Sequence, residues 1–468
     1  MGTVTFASSL FLFALTIVAS SSSSSSRTPP ATAAAMALSQ SVVVIGLNAA
    51  LQKRFVLPPN ANLVPGNVHR AHRCTTGVGG KGQDVAVAMS CLLVPPSSRE
   101  EGRGRGGVEN EDVSGGGGYD IGAEGDAVSD ALKSRHGLTN DSLTIRTDAP
   151  LRTCTTIVGA DAATELVETS GTVTAEEMKA LRDGIDALTT RGGGVGRRNA
   201  DCVCVMGSMP PGCPDDTYAD LTSRLADGST LVLVDSVIGL DPLLGALKSI
   251  FDDDDDDDDD SSRKGKKGGA VLKLNAAELC KLAGVHKKSE TCRVTPEELS
   301  ASTRGFLARH PNAIGALEYL CVTDGKFPGY VVDVKSESAP SGSFRAWQLP
   351  PVDLSTKGTL YPIGAGDTVS GGTLAAMQYL RRGGGGGGGK VIRTEIGKRL
   401  SEKRAEWRSG GAVGASSEDD EGYDMATAFA FGLACGSASC LREDNSVFDV
   451  DDAMSFFVNS AEPVSLAL

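Results

Sequence analysis

The residues at 363–368, with the sequence I-G-A-G-D-T, carry the clearest chemistry and stand directly before an apolar run at 369–380. Glycines let a backbone approach a ligand closely, and the unpaired N–H groups of a first helical turn attract an anion. A carboxylate is repelled by a bound polyphosphate, so Asp367 makes sense as a general base for an attacking hydroxyl. The segment predicts phosphoryl transfer from a nucleotide to an alcohol. The alternative is a plain glycine turn in which Asp367 only caps a helix.

A second glycine cluster, G-V-G-G-K-G-Q-D at 77–84, also runs straight into an apolar helical pattern. It offers backbone N–H donors, a lysine (Lys81) and a carboxylate (Asp84). Glycine turns before helices are common, so this loop alone is weak evidence for a binding site. Together with the G-A-G-D segment, it predicts a substrate site with two sides.

A third segment, K-L-N-A-A-E at 273–278, follows a buried β-branched run. If a helix begins there, Asn275 and Glu278 share one face, and an amide and a carboxylate so placed suit Mg²⁺, held directly or through water. The alternative is an ordinary helix start, in which the two side chains only cap the helix.

Strand and helix patterns alternate along the chain, which predicts an α/β sandwich around a mostly parallel sheet. In that architecture, phosphate ligands bind beyond the carboxyl ends of the strands. The predicted strands lie at 41–47, 202–206, 231–235, 271–274 and 320–323, and the predicted helices at 85–93, 175–188, 218–225 and 298–309.

Four segments rich in Gly, Ser or charge interrupt this alternation, at 95–118, 252–269, 383–389 and about 402–422. We expect disordered surface inserts there, because loop-closure entropy grows only slowly with loop length. The second insert holds an uninterrupted aspartate run at 252–260, which repels itself and favours a solvated segment over an ion site.

The formal net charge of -14 argues against nucleic acid or an anionic membrane surface as the main partner. Eleven cysteines form an odd, scattered set without C-x-x-C spacing. They predict free thiols in a reducing compartment rather than a disulfide framework or a zinc site.

Residues 1–40 form a leader in this interpretation, with an apolar stretch at 10–19, a serine tract at 20–26 and no acidic residue. The apolar stretch is too short to span a bilayer. The composition suits an organelle address, as for a plastid entered through the secretory route, and leaves no membrane anchor in the mature form. An ordinary secretory signal, or a start at Met36 in the cytoplasm, is the alternative.

Eight segments in their order along the chain resemble those of the PfkB-type carbohydrate kinases of the ribokinase-like superfamily, closest to the 1-phosphofructokinase and tagatose-6-phosphate kinase branch. The segments are G-L-N-A-A-L-Q-K at 46–53, G-G-K-G at 79–82, P-L-R-T at 150–153, T-E-L at 164–166, G-S-M-P-P-G at 207–212, K-L-N-A-A-E at 273–278, V-T-D-G at 322–325 and G-A-G-D at 364–367. The resemblance covers residues 41–466. It implies a three-layer α/β/α sandwich with a mostly parallel central sheet and a small β lid at about 53–74 and 153–165.

The resemblance also implies a reaction, in which ATP with Mg²⁺ phosphorylates a hydroxyl of a sugar phosphate, most readily a ketohexose phosphate. Asp367 matches the catalytic base, and the backbone of Gly364, Ala365 and Gly366 matches the anion hole for the transferring group. Lids of this superfamily often pair between subunits, which implies a homodimer.

The remaining matches divide the site between nucleotide and sugar. Lys273, Asn275, Thr323 and Gly325 match nucleotide-binding positions, and Asn275 and Glu278 match the magnesium positions. Gly79, Gly80 and Lys81 match the sugar loop, while Arg70 and Arg152 match arginines that grip the phosphate already on the substrate.

Two positions depart from the family pattern. Gln52 stands where the family has an aspartate that binds sugar hydroxyls, and Asp84 stands where the sugar loop normally ends in asparagine. Our hypothesis is that both face the same sugar, so that the exchange keeps one charged acceptor and one amide. A kinase for a free sugar or a nucleoside, or a catalytically silent sugar-phosphate-binding relative, remains as an alternative.

Overall fold

The computed structural model describes residues 11–18, 41–93, 123–136, 138, 143–160, 162–190, 199–252, 268–285, 293–335, 343–381, 392–410 and 417–468. The expected inserts at 95–118 and 383–389, and most of the insert at 252–269, lie outside these residues.

The described strands form two sheets. They are β1 (Phe11–Val18), β2 (Ser41–Gly46), β3 (Ala50–Val56), β4 (Arg73–Gly79), β5 (Thr144–Arg146), β6 (Arg152–Val158), β7 (Ala163–Val167), β8 (Cys202–Met206), β9 (Leu231–Asp235), β10 (Gly269–Asn275), β11 (Leu317–Asp324), β12 (Phe327–Asp333), β13 (Arg345–Leu349) and β14 (Val464–Ala467). The larger sheet has the order β14-β13-β12-β11-β10-β9-β8-β2-β1-β5, and the smaller has the order β4-β3-β6-β7.

The centre of the larger sheet is parallel, from β2 through β8, β9 and β10 to β11, and its two edges are antiparallel. Strands β8 and β9 are buried at every residue, as expected for β-branched and apolar runs that are covered on both faces. The predicted α/β sandwich is confirmed, and its parallel strands are those that the sequence predicts.

Twelve helices are described, and several of them pack against one another. They are α1 (Lys81–Leu93), α2 (Ala123–His136), α3 (Ala175–Thr190), α4 (Thr217–Leu225), α5 (Leu240–Asp252), α6 (Ala276–Ala283), α7 (Pro296–Arg309), α8 (Ala313–Ala316), α9 (Ala365–Arg381), α10 (Thr394–Gly410), α11 (Ser417–Ser439) and α12 (Val450–Val458). Helix α9 packs against α1 and α11, whereas α4 packs against α3 and α5, and α6 against α7.

The smaller sheet is the predicted lid. Strand β3 pairs in parallel with β6 and antiparallel with β4, and β6 pairs antiparallel with β7. Its strands begin earlier than the predicted segments 53–74 and 153–165, at Ala50 and Arg152, and end later, at Gly79 and Val167.

The expected disordered insert at 402–422 is wrong for most of its length. Helix α10 continues to Gly410 and α11 begins at Ser417, while 411–416 lies outside the described residues. The buried residues Ile396, Leu400, Lys403 and Trp407 recur at helical spacing and give α10 one packed face. The many charged residues and flanking glycines of this segment hid that periodicity.

The apolar stretch interpreted as part of a leader contains strand β1, which pairs antiparallel with β2 and β5. Its role as an organelle address stays a prediction. No helix within the described residues is long and apolar enough to cross a membrane. The ten cysteines in the described part of the chain are free thiols, as the sequence predicts.

Candidate active site

A cleft of about 360 Å³ lies between the lid and the carboxyl ends of the parallel strands. The start of α1 contributes Lys81 and Asp84, and the start of α9 contributes Asp367. Arg152 and Glu165 line it from the lid. The two glycine segments therefore both contribute residues to a single cleft.

The G-A-G-D turn is shaped for a close approach of backbone. Gly364 has a φ of +81°, and a Cβ added there would lie 2.8 Å from Ser446 Oγ. Its carbonyl accepts hydrogen bonds from Thr368 N and from Ser446 Oγ, at 2.9 and 3.0 Å. Helix α9 begins at Ala365, whose N–H donates to Pro362 O at 3.1 Å, and the residues that line the cleft here are Ile363 and Asp367, on either side of the glycines. An anion hole formed by Gly364, Ala365 and Gly366 stays a prediction.

Asp367 has the proton affinity of a general base. Burial raises its pKa to about 7, with a contribution from Asp235, while the ammonium groups of Lys81 and Lys273 act in the opposite direction. A carboxyl with that pKa is deprotonated in a large fraction of molecules at neutral pH and still accepts a proton readily.

A buried carboxylate that the sequence analysis missed organises the cationic groups. Asp235, the last residue of β9, accepts hydrogen bonds from Lys273 Nζ at 2.7 Å, Lys81 Nζ at 3.0 Å and Ser370 Oγ at 2.9 Å. Burial opposes its charge, but Lys273 and Lys81 outweigh burial and lower its pKa to about 2. An acid at the carboxyl end of the buried run L-V-L-V-D was the available signal.

Lys273, predicted to bind the nucleotide, is buried and has partners within the protein. Besides its ion pair with Asp235, its ammonium donates to Gly366 O at 3.0 Å. Lys273 therefore holds the G-A-G-D turn in place through this hydrogen bond to its backbone. Its contact with a nucleotide stays a prediction.

Asn275 and Glu278 form a capping box at the start of α6. Asn275 Oδ1 accepts from Glu278 N at 2.9 Å, and Glu278 Oε2 accepts from Asn275 N at 2.8 Å. The ordinary helix start, set out above as the alternative, is thus present. Glu278 also lines the cleft, where its Oε1 lies 3.9 Å from Lys81 Nζ.

The described residues contain no cluster of three or more His, Cys, Asp or Glu side chains that could hold a metal. Magnesium bound with a nucleotide keeps several waters and needs only one or two carboxylates besides the phosphates. Glu278 fits that requirement from its edge of the cleft. Asn275 fits less well, because its side-chain oxygen caps the helix.

Thr323 and Gly325 lie beside this segment rather than among the residues that line the cleft. Thr323 stands opposite Asn275 in the pairing of β10 with β11, and Gly325, with a φ of +60°, makes the turn into β12. Their contact with a nucleotide stays a prediction.

Both departures from the family pattern, Gln52 and Asp84, are buried and line the same cleft. Gln52 Nε2 donates to Thr156 Oγ1 at 2.6 Å, so its amide is fixed by the lid. Burial, aided by the charges of Asp367 and Glu165, raises the pKa of Asp84 well above its ordinary value. The geometry is compatible with the hypothesis that both residues face one ligand.

The structure brings Arg152 to the cleft but not Arg70. Arg152 Nη2 donates to Asn48 O at 2.9 Å and Nε donates to Ala49 O at 3.4 Å. Arg70 is exposed in the connection between β3 and β4 and is not among the lining residues. The sugar-loop residues Gly80 and Lys81 line the cleft, and Gly79 ends β4 beside the Gln52 side chain.

No family model and no curated protein matches this chain. Solved structures do match. A mutant form of phosphofructokinase-2 from Escherichia coli is 17% identical, with a TM-score of 0.51 over 88% of this chain and 96% of the other. The same enzyme with substrates and products gives 18% identity and a TM-score of 0.50 over the same shares. The chain has the ribokinase-like fold.

Ribokinase from Arabidopsis thaliana, complexed with ribose and ATP, also matches, at 13% identity and a TM-score of 0.46 over 88% of this chain and 96% of that one. At these identities the likeness shows the ribokinase-like fold alone. The match to phosphofructokinase-2 and the smaller sheet confirm the fold implied by the eight sequence segments, including its β lid.

Three further residues of the ribokinase-like cleft region escaped the sequence analysis, namely Ser370, Arg54 and Asn445. Ser370 donates to Asp235 from the second turn of α9. Arg54, on lid strand β3, donates to Asn445 Oδ1 in the loop after α11. No motif marks these positions, because Arg54 and Asn445 are separated by 391 residues and meet only in the fold.

Proposed function

We propose that this chain is a carbohydrate kinase that transfers the γ-phosphoryl group of ATP to a hydroxyl of a sugar phosphate. The observation that carries the proposal is the Asp367 carboxylate, with a pKa of about 7, at the N-terminus of α9 in a cleft shared with Lys81 and Glu278. A base beside an anion-attracting helix start is the pair of features that phosphoryl transfer to an alcohol needs.

In this mechanism, Asp367 takes the proton of the acceptor hydroxyl as the hydroxyl attacks. The N–H groups at the start of α9 stabilise the negative charge of the transferring group. Lys273 keeps the turn in place through Gly366 O, and Lys81 supplies a positive charge between Asp235 and Glu278. A bound Mg²⁺ would supply further charge neutralisation, and Glu278 is the carboxylate that would hold it.

A phosphorylated acceptor is supported by Lys81 and Arg152, the cationic side chains on the lining of the cleft. Arg70 would join them only through a movement of the lid or from a partner subunit. In addition to a sugar-phosphate acceptor, we therefore propose that the chain forms a homodimer that pairs through the lid. ATP and Mg²⁺ belong to the same proposal.

One observation favours a free sugar as a second candidate. The carboxylates of Asp84 and Glu165 line the cleft, and Arg152 already donates to two backbone carbonyls. The Glu165 carboxylate repels a phosphate, and both carboxyl groups accept hydrogen bonds from sugar hydroxyls.

ADP release by the full chain with Mg²⁺ and ATP separates these candidates. The acceptor panel is fructose 1-phosphate, fructose 6-phosphate, tagatose 6-phosphate, fructose, tagatose and ribose, with Asp367→Asn as the paired variant. We expect turnover of a phosphosugar that falls by at least 10³-fold in the variant. Turnover of free sugars alone would select the second candidate. If no acceptor leads to ADP release but sugars raise the thermal stability of both proteins, the chain would instead be a binding protein.

A further inference from the structure

The segment at 440–449, between helices α11 and α12, contacts both the lid and the backbone that leads into the G-A-G-D turn. We refer to it as the linking loop. Among its residues, all of which the structure describes, only Asn445 lines the cleft. Direct contact with a substrate therefore does not explain why so many of its groups are bonded to the two sides of the site.

Two arginines of the lid hold the linking loop. Arg54, on β3, is 4% exposed and donates to Asn445 Oδ1. Arg73, the first residue of β4, forms an ion pair with Glu443. Burial lowers the pKa of Arg54, while the carboxylates of Asp444 and Glu443 act in the opposite direction. This guanidinium has lost its water and depends on partners within the protein, so the lid cannot leave the linking loop without a cost.

Three hydrogen bonds join the linking loop to residues 361–364. Tyr361 N donates to Cys440 O at 2.8 Å, Tyr361 Oη donates to Glu443 Oε1 at 3.1 Å, and Ser446 Oγ donates to Gly364 O at 3.0 Å. The two backbones approach closely, since a Cβ added at Gly364 would lie 3.2 Å from Ser446 N. Ser446 has a φ of +58°, an uncommon value for a residue other than glycine that persists only where the surroundings fix it.

The contacts on the two sides of the linking loop share residues. Glu443 Oε1 accepts from both Arg73 and Tyr361, so one carboxylate oxygen joins the lid to the segment before the turn. Asn445, bound by the lid, is followed directly by Ser446, which is bound to the turn. A movement of the lid must therefore move the linking loop or break these bonds, and either event changes the support of the Gly364 carbonyl.

We propose that the linking loop couples closure of the lid over the acceptor to the geometry of the G-A-G-D turn, the proposed site of the transferring phosphoryl group. Arg54 and Arg73 are the positioning residues on the lid, and Ser446 is the positioning residue at the turn. The proposal rests on the proposed kinase function and adds a regulation of the same site. ATP is held for transfer only when an acceptor lies under the closed lid, which disfavours transfer to water. By linkage, the acceptor and the nucleotide raise each other's affinity by the same factor.

Calorimetry measures this coupling without turnover. The full chain is titrated with Mg²⁺ and the nonhydrolysable analogue adenosine 5′-(β,γ-imido)triphosphate, alone and with each sugar of the acceptor panel. In the wild type we expect one sugar to raise the affinity for the analogue by at least about fivefold. In Arg54→Met, Arg73→Met and Ser446→Gly, that factor should fall to about twofold or less, and combining Arg54→Met with Ser446→Gly should cause no further loss.

The variants separate coupling from general damage to the fold. Ser446→Gly removes the hydroxyl while glycine readily adopts the φ of +58°. Arg54→Lys keeps a donor and should retain more coupling than Arg54→Met. Arg442→Met is the matched control, because Arg442 lies in the linking loop but pairs with Asp449 and Asp452. This control should couple as the wild type does.

Steady-state kinetics gives an independent readout. In the wild type the KM for ATP should fall as the acceptor concentration rises, and in Arg54→Met and Ser446→Gly it should no longer do so. An unchanged coupling factor in Arg54→Met, Arg73→Met and Ser446→Gly would overturn the inference while leaving the kinase intact.

The proposed function can fail separately. If the wild type releases no ADP with any acceptor, the kinase proposal is wrong, and calorimetry still decides the coupling. A sugar effect on the affinity for the analogue that the three variants lose would support the inference. A wild type in which no sugar changes that affinity, or in which the analogue does not bind, would refute it.

Discussion

Asp367 and Asp235 lie in one cluster, yet their surroundings shift their pKa values in opposite directions. Asp235 is in direct contact with two ammonium groups, and its pKa falls to about 2. Asp367 feels the same ammonium groups at longer range together with the charge of Asp235, so burial dominates and its pKa rises to about 7. One carboxylate is thereby fixed as a charge, and the other is free to exchange a proton.

The pKa of Asp367 predicts the pH dependence of the reaction. The base must be deprotonated to act, so kcat/KM should rise with pH through about 7. Lys81 lowers that pKa, so Lys81→Met should move the rising limb to higher pH. Steady-state rates between pH 5 and pH 9 measure this shift. Lys179→Met, at an exposed ion pair, is the control and should leave the limb in place. If Lys81→Met leaves the rise of kcat/KM at the same pH, Lys81 does not lower the pKa of Asp367.

The same shift predicts an effect on stability. The folded-state pKa of Asp367 lies above its ordinary value of 3.8, so folding favours the protonated form. The stability associated with that form is present at low pH and is lost as pH rises through about 7. Asp367→Asn should therefore raise the midpoint of thermal unfolding more at pH 8 than at pH 5, by a difference of about 2–8 °C. Equal effects at both pH values would contradict the assigned pKa.

The sequence predicted those residues of the cleft lining that belong to local motifs. Asp367, Lys81, Asp84 and Glu278 each lie in a glycine turn or a helix start and are brought to one cleft. Asp235 was not predicted, because a single acidic residue at the end of a strand has many possible roles. Its role becomes clear only from its ion pairs with Lys81 and Lys273 in the structure. Contacts between distant segments are set by the fold and leave no local pattern.

At the scale of elements, the capping box of α6 has two roles, because Glu278 both caps the helix and lines the cleft. Asn275→Ala should destabilise the protein by about 1 kcal/mol and should also lower kcat/KM, since Glu278 loses its fixed position. Thr295→Ala is the matched control, because Thr295 and Glu298 form the capping box of α7 and neither residue lines the cleft.

Denaturant unfolding and steady-state kinetics on both capping variants separate the two roles. Thr295→Ala should lose similar stability and keep its activity. Equal activity in the two variants would mean that Glu278 acts only as a helix cap.

Element prediction succeeded where apolar periodicity was strong and failed where composition concealed it. Strands β8 and β9 match their predicted bounds because every residue in them is buried and apolar or small, apart from the final Asp235. Helix α10 was missed because its mean composition is polar, and only one residue in three or four faces the core. Lys403, buried against Trp407, occupies a core position that a count of apolar residues overlooks.

At the scale of the whole molecule, the lid leaves large apolar side chains exposed. Leu166 and Val167 on β7 are 57% and 53% exposed. We expect these side chains to be covered in the proposed lid-paired homodimer. Leu166→Asp should shift the chain from dimer to monomer in sedimentation velocity at micromolar concentration, whereas Val458→Asp, at an exposed position on α12, should not. A wild type that sediments as a monomer at all concentrations would refute the dimer.

The overall architecture followed from the sequence because alternating strands and helices admit few arrangements. That rule predicts a parallel sheet with a ligand cleft at the carboxyl ends of its strands, whereas the order of the strands comes from the structure. The identity of the acceptor does not follow from it, because contacts between distant parts of the chain, such as that of Arg54 with Asn445, leave no pattern in the sequence.

The most direct test of the central claim follows the γ-phosphoryl group itself. The full chain is incubated with ATP labelled at the γ-phosphate, Mg²⁺ and the best acceptor of the panel, and the products are separated. We predict label in the sugar product of the wild type and almost none with Asp367→Asn. Label that appears only as inorganic phosphate, or that reaches the sugar equally well in Asp367→Asn, would contradict a kinase with Asp367 as its base.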